Sequence, residues 1–123
     1  MSSKQPTTRP NNALLTTEEA IEKYANAVKT EPTAANYLEL GAAYYIARRW
    51  DDALKAFQKT VELDSKQAFA YYYLGILNAA MGNRDKATDA LNHVLQVSNN
   101  PMLKAQAQTR ISQVQSFADL GGN

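Results

Sequence analysis

The sequence predicts an all-α fold, an array of about six helices paired as antiparallel hairpins. Three observations predict it. Apolar residues recur at helical spacing along most of the chain. The sequence matches itself when shifted by 34 residues, as Tyr37 with Tyr71 and Leu40-Gly41 with Leu74-Gly75. Strand-like alternation is absent and every link is short, which favours antiparallel neighbours.

Residues 1–15 read as a flexible lead. Pro6, Pro10, Asn11, Asn12 and several Ser and Thr residues suit that role, and Ala13-Leu14-Leu15 is its only apolar patch. A domain over 16–119 follows. Thr16 is an N-cap, and Glu19 three places on completes a capping box. Ala20, Tyr24, Ala27 and Val28 then share one helix face, and Pro32 closes the segment of 16–33.

A second helix spans 34–47 with Tyr37, Leu40, Tyr44 and Ala47. A third covers 51–63 with Ala53, Leu54, Phe57 and Val61. The fourth, 67–81, is the most aromatic. The fifth, 84–97, carries Ala87, Leu91, Val94 and Leu95. Asn100 caps a sixth helix that has Pro101 at its first position. This helix carries Leu103, Ala107, Ile111, Val114 and Phe117 and ends before Gly121-Gly122.

The period makes physical sense. The small residues Gly41 and Gly75 let the two helices of a hairpin approach closely, as do Ala53 and Ala87 from the opposite side. The large Tyr37, Tyr71 and Phe57 fill the space between hairpins. A single hairpin buries only part of its apolar surface, so stacking is required.

These residues resemble the tetratricopeptide repeat family, whose pattern is an aromatic, Leu-Gly, Tyr, Ala, an aromatic and Pro. Repeat 34–67 shows Tyr37, Leu40-Gly41, Tyr44, Ala53 and Phe57. Repeat 68–101 shows Tyr71, Leu74-Gly75, Ala87 and Leu91. Arg48-Arg49-Trp50-Asp51-Asp52-Ala53 resembles the family's turn into the second helix, and Gly82-Asn83-Arg84-Asp85-Lys86-Ala87 resembles it again. Asn78 departs from the expected Tyr, Ser65 and Asn99 from Pro, and Thr60 and Val94 from small residues. The resemblance covers residues 18–101. It implies a right-handed antiparallel helix-hairpin solenoid: the half-repeat helix, two repeats, and residues 102–119 as a polar-faced cap.

The resemblance also implies where a partner binds. In this family the first helix of each repeat lines the concave face. The matching positions are Ala35, Leu38, Ala42, Tyr45 and Ile46 in one repeat, and Phe69, Tyr72, Ile76, Ala79 and Ala80 in the next. The sixth helix adds Leu103, Gln106 and Arg110, and Tyr73 sits at the groove's edge. Chaperone-binding members grip a terminal carboxylate with Lys, Asn and Arg. Leu38, Ala42 and Tyr73 stand at the matching places here, so that clamp is absent.

An apolar groove of this kind marks a site for an apolar peptide or helix of another protein. Two other covers are open: the sixth helix, or the patch at Ala13-Leu14-Leu15. A self-associating scaffold that buries the groove in a homo-oligomer is the alternative function. Tyr71 is expected in the core.

Other classes find little support. The chain of 123 residues carries 13 Lys and Arg against 12 Asp and Glu, so nothing draws it toward nucleic acid. Arg48, Arg49 and Trp50 form a basic-aromatic cluster, but Asp51 and Asp52 neutralise it, and packing is the simpler role. His93 is the single histidine. A metal site needs several converging ligands, and Asp89 is its one candidate neighbour, so His93 is expected on a solvated face. There is no cysteine, no nucleophile–base–acid set and no phosphate-cradling glycine loop, so neither catalysis nor a cofactor is expected. No apolar run approaches the roughly 20 residues of a membrane span. Met1-Ser2-Ser3-Lys4-Gln5-Pro6 lacks the apolar stretch of a secretory signal, so a cytoplasmic location is expected.

Overall fold

The computed structural model describes residues 14–119. Residues 1–13, with Ala13 among them, the closing Gly121-Gly122 and the side chain of Phe117 lie outside the described residues. Among the described residues the chain forms six helices and no strand: α1 Thr17–Thr30, α2 Ala34–Ile46, α3 Trp50–Leu63, α4 Ala68–Ala80, α5 Arg84–Val97 and α6 Pro101–Asp119. α2 pairs with α3 and α4 with α5. α1 packs before the first pair on α2, and α6 closes the array on α5 while barely touching α4.

Local chemistry sets the helix starts. The Thr16 hydroxyl accepts from the Glu19 amide at 3.2 Å, and the Glu19 carboxylate accepts from the Thr16 amide at 2.9 Å. Two orphan donors of the first turn are satisfied reciprocally. Asn100 Oδ1 accepts from the Met102 and Leu103 amides at 3.0 and 3.2 Å, directly ahead of Pro101. Pro at that position lacks only an amide that would have had no partner. Trp50 belongs to the first turn of α3 rather than to the preceding link, and Met81 caps α4 rather than extending it.

The core has two clusters, one between the hairpins and one under α6. Ala53, Phe57, Ala70, Leu74 and Leu77 form one cluster, and Leu91, Val94, Leu103, Ala107 and Ile111 form the next. A Cβ on Gly41 would lie 2.7 Å from Phe57 Cε1, and one on Gly75 would lie 2.5 Å from Leu91 Cγ. Each hairpin therefore closes on a glycine facing a large side chain. The sequence departures at Thr60 and Asn78 are absorbed locally. Thr60 is fully buried and donates to the Ala56 carbonyl at 2.9 Å. Asn78 donates to the Leu74 carbonyl at 2.9 Å and accepts from Asn83 Nδ2 at 3.3 Å. Both polar groups are satisfied, so their burial carries little penalty.

The two hairpin turns use one left-handed residue each, a period apart. Gly82 has φ 83° and Arg48 has φ 64°. An arginine there strains against its own Cβ, which glycine avoids. Arg48→Gly is expected to raise stability by about 0.5–1 kcal/mol. Thermal unfolding followed by circular dichroism checks this, and a lower melting temperature would refute it.

Candidate functional site

The first helices α2 and α4 carry a row of rings that spans the hairpins. Tyr45 meets Trp50 edge-on at 5.5 Å and Tyr73 at 5.0 Å. Tyr73 stacks nearly parallel on Phe57, with ring centres 4.7 Å apart, and meets Tyr72 edge-on at 6.3 Å. Offset and edge-on contacts of this kind suit the ring quadrupoles. Tyr73 is thus a packing residue between hairpins. Leu38 and Tyr45 are half-buried against the same cluster, and Ala42 is half-buried on α2.

Tyr72, Ile76 and Arg110 come together at the α6 end. Arg110 Nε donates to the Tyr72 hydroxyl at 3.4 Å. Ile76 lines a concavity of about 340 Å³ with Gly75, Ala79, Leu91, Arg110 and Val114. A second concavity of about 420 Å³ lies on the other side of Arg110, bounded by Tyr72, Met102, Gln106 and Thr109. Phe69 stands apart on the first turn of α4 with 48% of its surface exposed, and Ile46 is 71% exposed at the end of α2. α6 meets Tyr72 through Arg110, and Tyr72 also packs half-buried against the cluster that holds Leu103, Ala107 and Ile111.

Leu103 corrects the sequence reading. It is 3% exposed and packs with Leu91 and Val94, so it is core rather than groove surface. α6 turns its apolar face onto α5, and Leu103 goes with Ala107 and Ile111. Tyr71 packs half-buried against that same cluster, and its ring stacks on His93 at 4.6 Å. His93 is exposed, as its helix face suggested, yet its ring has a partner and its Nδ1 lies 2.9 Å from the Asp89 carbonyl. Arg49 pairs with Asp52 at 2.8 Å and lies over the Tyr44 ring at 4.9 Å. Val114 and Gln113 of the α6 concavity were missed as site residues, although the helical spacing from Arg110 places them one turn on.

Burial pushes the Tyr73 phenol above its ordinary value near 10, with nearby Tyr45, Tyr72 and Glu39 adding to the shift. The unfolded phenol ionises first as pH rises. The stability linked to it is therefore complete below pH ~10 and lost above that as pH rises through the folded pKa. In an ultraviolet titration one tyrosine of the folded protein should ionise later than the rest. Tyr73→Phe should remove that late step, and a single uniform titration in the parent would refute the assignment.

Among the described residues no group of three or more His, Asp or Glu side chains gathers to hold a metal, and no helix is long and apolar enough to cross a membrane.

Helix hairpins closed on glycine and stacked with a 34-residue period are the marks of one repeat class. Residues 34–67 match the model of the tetratricopeptide repeat. The chain belongs to the tetratricopeptide-repeat family. Small glutamine-rich tetratricopeptide repeat-containing protein 2 of Saccharomyces cerevisiae is 30% identical over 89 residues, which are 72% of this chain and 26% of that protein. Human mitochondrial import receptor subunit TOM70 is 30% identical over 88 residues, 68% of this chain and 14% of the receptor. The chain thus spans about a quarter or less of these tetratricopeptide-repeat relatives. The crystal structure of MamA protein superposes with a TM-score of 0.76 at 27% identity, covering 85% of this chain and 56% of that one. The second tetratricopeptide domain of human RPAP3, solved with an HSP70 peptide, superposes at 0.71 with 23% identity over 80% of this chain and 81% of that one. Tetratricopeptide repeats are protein-interaction scaffolds.

Proposed function

We propose that this tetratricopeptide-repeat protein is an adaptor rather than an enzyme. Its concave face, running over α2, α4 and α6, holds an apolar peptide or helix of a partner protein. One observation carries the reading: Leu38 and Tyr45 of α2 and Phe69, Tyr72 and Ile76 of α4 are aromatic and aliphatic side chains that stay partly in water, with two concavities lined by Arg110 beside Tyr72 and Ile76. Aromatic anchors that reach side-chain-sized hollows are the usual source of interface energy. Peptide binding by the RPAP3 domain supports the general mode. Leu38, Ala42 and Tyr73 replace the polar clamp residues of chaperone-binding relatives, which favours an apolar segment over an acidic chain terminus. A location in the cytoplasm fits this reading.

Phe69→Ala and Tyr72→Ala should each weaken partner capture by about 2 kcal/mol, roughly 30-fold. Phe69 is about half exposed, so its variant should keep helicity and melting temperature, while Tyr72 packs against the Leu91–Leu103 cluster, so its variant should keep helicity with a modestly lower melting temperature. Capture from lysate compared across the parent and the two variants checks this. Undiminished capture by the double variant would overturn the groove as the binding site.

A further inference from the structure

Two arginines of the array meet a tyrosine, and they are answered differently. Arg49 lies over the Tyr44 ring and pairs with Asp52 at 2.8 Å. Arg110 donates through Nε to the Tyr72 hydroxyl at 3.4 Å, but among the described residues no carboxylate lies within ion-pair distance of it. The sequence gives the reason. From Pro101 to Ala118 α6 carries Lys104 and Arg110 and no Asp or Glu, so no acid stands one turn away to neutralise Arg110.

Three donors around the two hollows have no acceptor among the described residues. The Arg110 side chain is exposed, and its two Nη groups bond to no described residue. The Tyr72 hydroxyl accepts from Arg110, which leaves its own proton to donate. The exposed Gln113 amide stands one turn on from Arg110 and borders both hollows with it. Of the described residues that line either hollow, Arg84 and Arg110 are charged and none is acidic. Away from these groups the first hollow is apolar, walled by Ile76, Ala79 and Val114.

We infer that Arg110 and Tyr72 bind an Asp or Glu side chain of the partner, next to an apolar side chain that enters the hollow beside Ile76. The inference rests on the adaptor reading and names what the bound segment must carry. The Nη edge of a guanidinium holds a carboxylate through two parallel bonds, and the Tyr72 hydroxyl adds a third donor. An amide of the same shape brings one acceptor and no charge, so it binds less well. Charge matching of this kind selects the partner more than it adds raw affinity. Arg110 itself borders the apolar hollow, so the acid and the apolar anchor must be near neighbours, as they are one turn apart on a helix. The carboxylate belongs to a side chain rather than to a chain end. Both hollows reach Arg110, and a segment that stopped at its anion would leave one of them empty.

Fluorescence anisotropy with the full chain tests this. The probes are labelled helical peptides with capped ends, alike except that one turn from a Leu they carry Glu, Gln or Lys. The Glu peptide should bind about 10-fold tighter than the Gln peptide, with the Lys peptide weakest. Arg110→Gln should erase the difference between Glu and Gln while leaving the Gln peptide's affinity as it was. Arg110→Glu should make the Lys peptide the best of the set. Tyr72→Phe should shrink the Glu preference about 3-fold. Arg110 is exposed, so circular dichroism should show its variants folded. Equal binding of the Glu and Gln peptides by the parent overturns the inference, as does a Glu preference that survives Arg110→Gln. A Gln peptide with a free terminal carboxylate that matches the capped Glu peptide would move the anion to a chain end and overturn the side-chain assignment. Binding of none of the peptides overturns the inference too. The adaptor reading is judged apart, by partner capture in the Phe69→Ala and Tyr72→Ala variants, so it can outlive any of these results.

Discussion

Replacing Phe57 by Ala is expected to cost about 3–5 kcal/mol, the largest single loss in the chain. The ring is fully buried, lies against Gly41 and stacks under Tyr73 of the next hairpin. It is therefore a contact within one hairpin and between two. Its removal opens a cavity that helices held by short links cannot readily collapse. A domain of this size holds about 5–15 kcal/mol in total, so the variant should sit near the edge of folding. In a stacked array the coupling between neighbours carries much of the stability. Chemical denaturation followed by circular dichroism should show a lower midpoint and a broader transition as the hairpins uncouple. Phe57→Leu should cost far less, about 1 kcal/mol, because Leu already fills the same place as Leu91 one period later. Equal losses for Ala and Leu would mean the ring's stacking on Tyr73, rather than filled volume, holds the hairpins together.

The second large effect is the opposite error, too much volume. Gly75→Val is expected to destabilise by about 3 kcal/mol. Even a Cβ at this position would lie 2.5 Å from Leu91 Cγ and 2.6 Å from Leu91 Cδ2, so α4 and α5 must separate to admit a larger side chain. Leu91 is fully buried, and any retreat of its side chain would cost its packing against Val94 and Leu103. Leu91→Ala alone should also be costly, through the cavity it leaves. In the double variant the added side chain partly fills that cavity. The combined loss should then fall short of the sum by about 1–2 kcal/mol, a coupling expected only of residues in contact. Additive losses would show that Gly75 matters for the backbone rather than for the approach of the two helices.

These contacts also separate what the sequence alone determined from what needed the tertiary structure. Whereas the facing of Gly41 and Gly75 by Phe57 and Leu91 came from the structure, the six helices, their caps at Thr16 and Asn100, the period, and the close approach of paired helices at those glycines were all legible. Each rests on local chemistry or on a repeat visible in the chain itself. A capping box needs only residues three apart, and a repeat reports its own neighbours because every hairpin packs on a copy of itself.

The fate of individual side chains was less legible. Tyr71, Tyr72 and Tyr73 are consecutive, so a helix points them in directions about 100° apart. Their spacing separates them but does not say what each one meets. The crossing of the hairpins decides that: Tyr71 stacks on His93, Tyr72 faces Arg110, and Tyr73 covers Phe57. Leu103 looked like groove surface by its place in the repeat and became core, because α6 rests on α5 and hardly reaches α4. Arg48 could not be read as left-handed from its residue type, although Gly82 one period later holds the same turn. Period and capping are properties of the chain with itself. Burial is decided by which surfaces meet, and the angle of that meeting is written in no single segment.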